Sequence, residues 1–400
     1  MSAPLDVALH LCALLSIGGV IGGDSGADGA RANVVHVGMC TALSGPSADL
    51  GREMLNGVQM SFDEINRAGG VRQRKLELTA LDDGYEPAKT APQMRKLIDQ
   101  ERVLAVIGNV GTPTAIAALP IAAESGTPFF APFSGAGVLR KTPPEKNVIN
   151  YRASYAEETA AMVDALIDGG LHSEQIALFT QRDAYGDAGY SGAVEAMKKH
   201  GLRDERAIVH LRYERNSVAV ESAVADLLVL EPEPRAVILV GTYAPCASFI
   251  RQCRENGSQA TFLCVSFVGS MSLARDLGSV AEDVYVTQVV PHLDADLPIV
   301  REYHAALAAF APQTGPCFTS LEGYIAGRIL VRALEKIPGQ PTRATLLEAF
   351  ESLGTFDIGT GEPLHLDARE HQASHRVWFS VIRAGRVMPT QASDVLVNAR

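Results

Sequence analysis

Leu104-Ala105-Val106-Ile107-Gly108-Asn109-Val110-Gly111-Thr112-Pro113-Thr114, running into the amphipathic stretch 114–125, decides the fold class. Four apolar residues in a row, closed off by glycine, read as a short strand buried on both faces. The glycine-bearing loop then opens a helix, with Thr112 as N-cap and Pro113 at the first helical position. The same unit recurs on both sides. Residues 34–39, 76–81 and 128–131 read as further buried strands, and 51–68 and 87–100 as further helices, the first of these ended by Ala68-Gly69-Gly70. Strand and helix in strict alternation specify a doubly wound parallel sheet.

Around Tyr151 and Tyr155 the alternation restarts. Helices are expected at 157–169, 189–200, 218–230 and 245–256, and strands at 175–180, 207–211, 236–240 and 261–265. Glu231-Pro232-Glu233-Pro234 is a loop, because proline blocks helix continuation there. The remainder breaks the pattern: helices at 300–310, 319–337 and 343–353 precede short β segments at 363–366 and 377–383. No repeat of 20–50 residues is present, which excludes solenoids and propellers. The fold class is therefore α/β, with two doubly wound parallel-sheet lobes and a chain that returns to the first lobe before ending in the second.

The bulk composition suits a globule with a substantial core: 47% of the 400 residues are apolar and 20% charged. The net charge of −11 repels phosphate backbones and anionic lipid, so no nucleic-acid partner is expected. Residues 7–23 are almost all apolar or small, and a Gly/Asp/Ser/Ala stretch leads to Ala30-Arg31-Ala32, a small-x-small cleavage site. Residues 1–32 read as a signal peptide cleaved near Ala32, placing the mature protein in the periplasm, although Asp6 stands where a basic n-region is usual. Cys40, Cys246, Cys253, Cys264 and Cys317 are irregularly spaced, with no CxxC, so buried thiols are expected in place of a zinc site. Cys246 and Cys253 lie about 10 Å apart along a helix, too far to bridge.

The ordered set Leu43-Ser44-Gly45-Pro46-Ser47-Ala48, Gly51, Gly57, Glu64-Ile65-Asn66-Arg67-Ala68-Gly69-Gly70, Leu81-Asp82-Asp83-Gly84, Ala184-Tyr185-Gly186, Gly241-Thr242-Tyr243, Phe249-Ile250-Arg251-Gln252 and Thr319-Ser320-Leu321-Glu322-Gly323-Tyr324 resembles the type I periplasmic binding proteins. The similar subgroup is the leucine/isoleucine/valine-binding type that feeds ABC importers. Each motif is weak alone; the ordered set is specific and spans the chain beyond residue 32. The resemblance implies three crossovers, near 152–154, 288–291 and 366–375, and a ligand enclosed between lobes built from 33–152 plus 289–367 and from 153–288 plus 368–400. It implies a monomer that hands a small molecule to ABC permease subunits, without a cofactor or metal.

In a doubly wound sheet, ligands collect beyond the carboxyl ends of the strands. Thr112 matches the family's carboxylate-binding serine, on a loop whose backbone N–H groups also favour an anion. Ser134 and Gly135, after strand 128–131, match its second carboxylate-contact loop. Tyr185 and Tyr243 follow strands of the second array and match tyrosines that cover ligand. Ser266 departs from the pattern: it stands where the family has a glutamate that pairs with the α-ammonium of an amino acid. Asp183, Asp187 or Glu322 would have to supply the missing charge; otherwise the ligand carries no ammonium, since a buried unpaired ammonium is costly. Phe267, Phe318 and Leu50 suit an apolar or aromatic body, so a carboxylate with an apolar tail is expected.

Two other functions compete. An enzyme would need a catalytic set, but Asp82-Asp83 at a strand end point to opposite faces, no Gly-x-Ser-x-Gly follows strand 128–131, and the glycines of 18–29 lack a strand–GxGxxG–helix setting. His371-x-x-x-His375 lacks a nearby third ligand and reads as a solvated crossover, not a metal site. A ligand sensor presenting the same fold to a membrane receptor or kinase has the same sequence requirements.

Overall fold

The computed structural model describes residues 33–395; the expected signal peptide lies outside them. The first lobe runs β1 (Val34–Thr41), α1 (Ala48–Arg67), β2 (Lys75–Asp82), α2 (Pro87–Arg95), β3 (Val106–Ile107), α3 (Thr112–Glu124), β4 (Phe129–Phe130) and β5 (Val148–Ile149). Its sheet has the order β2-β1-β3-β4-β5 and is parallel throughout. The second lobe follows with α4 (Tyr155–Asp168), β6 (Ile176–Gln181), α5 (Ala184–Lys199), β7 (His210–Tyr213), α6 (Glu221–Leu228), β8 (Ala236–Val240), α7 (Tyr243–Glu255), β9 (Thr261–Cys264), α8 (Ser270–Leu277) and β10 (Val284–Gln288). Then come α9 (Pro298–Phe310), α10 (Phe318–Glu335), α11 (Arg343–Glu351), β11 (Gly354–Phe356), β12 (Leu364–Leu366), β13 (Trp378–Arg383) and β14 (Arg386–Thr390).

The second sheet has the order β14-β13-β10-β9-β8-β6-β7. Strands β6 to β10 are parallel, and β13 and β14 complete it as an antiparallel hairpin. The chain leaves the first sheet after β5, leaves the second after β10, and rejoins the second at β13. On the return, α10 packs on α1 at glycine contacts: a Cβ on Gly57 would stand 2.0 Å from the Ser320 carbonyl oxygen, and one on Gly323 would stand 2.4 Å from that of Met54. Only glycine lets these backbones approach so closely, which explains why Gly57 and Gly323 sit inside helices.

Several expectations need correction. Helix α5 starts at Ala184, not at 189, because Asp183 caps it, accepting the Tyr185 amide at 3.0 Å; Gly186 lies within its first turn. Thr112 is not the N-cap of α3. Gly111 holds that position at φ +101°, and Thr112 is the first helical residue. The stretch 87–100 is not one regular helix, since α2 gives way to a π-helical turn at Lys96–Gln100. Strands β5, β10 and β14 and helix α8 had no separate signal. His371 is not solvated: it is 5% exposed, donates to the Val148 carbonyl at 2.9 Å and lies 3.3 Å from Glu351. His375 is the exposed member, against Glu157.

Candidate functional site

The loops after β1, β3 and β4 face the loops after β6, β8 and β9, as the carboxyl ends of two parallel sheets dictate. On the first lobe, the Thr112 and Ser134 hydroxyls meet at 2.8 Å, both buried. Ser134 also accepts the Ala136 amide at 3.3 Å. The loop is held from behind by Arg140, which donates to the carbonyls of Ser134 and Ala136 at 3.1 Å and of Arg152 at 2.9 Å. The Gly135 carbonyl accepts the Tyr155 amide at 2.7 Å, tying this loop to the start of α4. The Tyr155 ring packs against Gly135, and its buried hydroxyl has no hydrogen-bond partner.

On the second lobe, Ser266 is bound to Glu158. Its amide donates to Oε2 at 2.7 Å and its hydroxyl to Oε1 at 3.0 Å, and Thr287 donates to Oε2 at 2.6 Å. Arg152, fully buried, donates to the Ser266 hydroxyl. Its guanidinium lies 3.8 Å from Glu158 and 3.6 Å from Glu322. Burial pushes the Glu322 carboxyl up to about 7 against the pull of Arg152.

Phe267 fills the centre. Its ring centroid is 4.6 Å from that of Tyr185, 5.1 Å from Phe133, 6.2 Å from Tyr85 and 6.4 Å from Tyr155. The Tyr185 hydroxyl donates to the Gly241 carbonyl at 3.2 Å, so this residue presents its ring and not its oxygen. Leu50, Phe318 and Thr319 instead border a cavity of about 30 Å³ at the cleft mouth, facing Gly269 and Ser270. The predicted residues thus divide in two: Thr112, Ser134, Gly135, Tyr185, Ser266 and Phe267 converge, while Leu50, Tyr243 and Phe318 belong to the mouth.

The lobes are in contact across this cleft. Gln181 donates to the Tyr85 hydroxyl at 3.0 Å, the Asp49 amide to the Tyr243 hydroxyl at 3.4 Å, and Ser272 to the Asp49 carboxylate at 2.9 Å. Arg275 reaches Asp49 at 3.0 Å and Arg215 reaches Glu86 at 3.0 Å. A Cβ on Gly269 would stand 2.6 Å from Leu50 Cδ2, and Gly269 has φ +79°.

Among the candidate acids, Asp183 caps α5 and Asp187 pairs with Arg212; only Glu322 approaches the site. Glu158 and Arg152 were missed. The signal for Glu158 was present: with Tyr155, Thr159, Met162 and Leu166 it lies on the buried face of α4, where a carboxylate must have partners. Asp82 and Asp83 are structural. Asp82 accepts the amides of Leu43, Ser44 and Gly84, and Asp83 accepts the Tyr85 amide and the Thr90 hydroxyl. Burial holds the thiols of Cys40, Cys246 and Cys317 well above their usual range, which disfavours the nucleophilic thiolate. Among the described residues, no group of three His, Cys, Asp or Glu side chains is placed to hold a metal ion.

The family model described as periplasmic binding protein matches residues 34–386. A structure described as a possible leucine/isoleucine/valine-binding protein from Rhodopirellula baltica SH 1 is 51% identical, with TM-score 0.89, and the match covers 91% of this chain and 98% of that one. A substrate-binding periplasmic protein from Ralstonia solanacearum is 28% identical, with TM-score 0.82, over 89% of this chain and 100% of that one. Among curated relatives, Leu/Ile/Val-binding protein homolog 7 of Brucella suis biovar 1 is 25% identical over 374 residues, 89% of this chain and 87% of the relative. With two parallel sheets facing across a closed cleft and these matches along nearly its whole described length, the chain belongs to the periplasmic binding protein family, in its leucine/isoleucine/valine-binding type.

Proposed function

We propose that the protein is an extracytoplasmic solute-binding protein that captures a small carboxylate with an apolar or aromatic body by hinge closure and delivers it, as a monomer, to the permease of an ABC importer. The lobes would be 33–152 plus 289–367 and 153–288 plus 368–400, and the expected signal peptide would direct export. The observation that carries this reading is the pairing of two kinds of wall: the Thr112–Ser134 hydroxyl pair on one lobe and the Phe267 ring, seated on Tyr185, on the other. The hydroxyls and the start of α3 favour a carboxylate, and the rings favour an apolar body. Relatives named for binding leucine, isoleucine and valine support a ligand of amino-acid size, and relatives named for binding support capture without chemistry.

Closure follows from differential contact. A ligand that touches both walls binds the closed form better than the open one and shifts the population accordingly. The closed form brings Asp49 against Arg275 and Glu86 against Arg215 at the two lips, giving a permease a surface that the open form lacks. A thermal-shift screen of amino acids beside aliphatic and aromatic carboxylates tests the reading. Stabilisation by apolar carboxylates supports it; stabilisation by cations or sugars alone refutes it.

A further inference from the structure

We infer that Arg152 and the Tyr155 hydroxyl form a subsite for the oxo group of a 2-oxo carboxylic acid, at the place where an amino acid would present its ammonium. The inference rests on the proposed capture of an apolar carboxylate and specifies its class.

Arg152 is fully buried, yet its Nη1 has no hydrogen-bond partner and its Nε has only the Glu322 carboxylate, 3.6 Å away; the buried Tyr155 hydroxyl has no hydrogen-bond partner either. The guanidinium carbon lies 4.5 Å from the Phe133 ring centroid and 6.0 Å from that of Tyr155, and Nη2 is bonded to Ser266. These unpaired donors therefore stand among the cleft residues. Buried donors without partners are costly, and a ligand oxygen would relieve that cost.

The acceptors that an ammonium would need are already in use. Glu158 receives two bonds from Ser266 and one from Thr287, and both Glu158 and Glu322 face the Arg152 guanidinium. An ammonium placed here would displace those bonds and sit beside a like charge. An oxygen beside Nη1 and the Tyr155 hydroxyl meets two donors that have no other partner. The two seats also adjoin, because the Tyr155 ring packs against Gly135, the neighbour of Ser134, and Ser134 is bonded to Thr112. A ligand that fills both must carry neighbouring acceptors, as a carboxylate and an adjacent oxo group do. Phe133, Tyr85, Tyr185 and Phe267 are left to cover its apolar tail.

Isothermal titration of the mature chain with matched pairs tests this: 4-methyl-2-oxopentanoate against leucine, and phenylpyruvate against phenylalanine. At least one oxo acid should bind more tightly than its amino acid by roughly tenfold, the scale of one satisfied buried donor. Tyr155→Phe, which removes only the unpaired hydroxyl, should narrow that advantage severalfold. Arg152→Lys should remove it, and if that variant fails to fold, the wild-type pairs and Tyr155→Phe still decide. Tighter binding of both amino acids, or an advantage untouched by Tyr155→Phe, overturns the inference and leaves carboxylate capture standing. Binding by neither member of either pair overturns the inference, and a carboxylate screen that also comes back empty overturns the broader reading with it.

Discussion

Replacing Gly269 by alanine separates the closed form from the open one. Gly269 has φ +79°, where an L-residue costs roughly 1–2 kcal/mol. That strain belongs to the second lobe alone and is present whether the cleft is open or shut, so it lowers the melting temperature of the unliganded protein without changing affinity. The second effect depends on closure. The new Cβ would stand 2.6 Å from Leu50 Cδ2, a contact that exists only when α1 of the first lobe meets the second. The obstacle is the end of a flexible side chain, so Leu50 gives way at a cost of about 1–2 kcal/mol. Ligand affinity should therefore fall roughly 5- to 30-fold. Leu50→Ala removes the obstacle, so a double-mutant cycle read by titration calorimetry should show that Gly269→Ala loses most of its effect on affinity in the Leu50→Ala background. Equal loss of affinity in both backgrounds would refute the argument that closure across this contact is coupled to binding.

Other expectations follow from the same geometry. Glu322 holds its proton up to about 7, against about 4.3 in an unfolded chain. Between those values the folded state keeps a proton that the unfolded state has lost, so stability falls as pH rises through that window, by about 3–4 kcal/mol in all. Glu322→Gln should flatten this part of the stability–pH curve measured by denaturant unfolding, and an unchanged slope counts against the buried Arg152–Glu322 arrangement. Asp49→Ala removes the partner of Ser272 and Arg275 across the cleft; both partners are partly exposed, so the loss should be about 0.5–1.5 kcal/mol in ligand affinity. The loss should shrink at high salt, and a salt-independent loss contradicts a lip contact. Thr112→Val keeps the shape and deletes the hydroxyl that meets Ser134; carboxylate affinity measured by calorimetry should drop roughly tenfold, whereas unchanged affinity removes Thr112 from the site.

The two parallel sheets were legible because each strand is a short apolar run between glycine-marked loops and amphipathic helices, a pattern set by burial on both faces. Elements that lacked this contrast were not. Strand β5, Val148-Ile149, stands between Asn147 and Asn150 without a longer apolar run around it, and β10, Val-Tyr-Val-Thr-Gln, runs straight into the crossover without a turn signal. In the site, position beyond a strand end together with the family resemblance marked Thr112, Ser134 and Ser266, which come five, four and two residues after β3, β4 and β9. Glu158 and Arg152 escaped because their role depends on what faces them: Glu158 lies one turn into α4, and its partners Ser266 and Thr287 are 108 and 129 residues away. Phe267 was expected as one wall among several, and its central position among four rings is a product of the two lobes meeting.

Small-angle X-ray scattering of the mature protein, with and without the carboxylate that most raises its melting temperature, tests the central claim most directly. If the two lobes enclose the solute, the radius of gyration contracts on saturation and the profile approaches that of the closed form described above. An identical profile in both states, at concentrations where calorimetry shows the site filled, would contradict capture by closure.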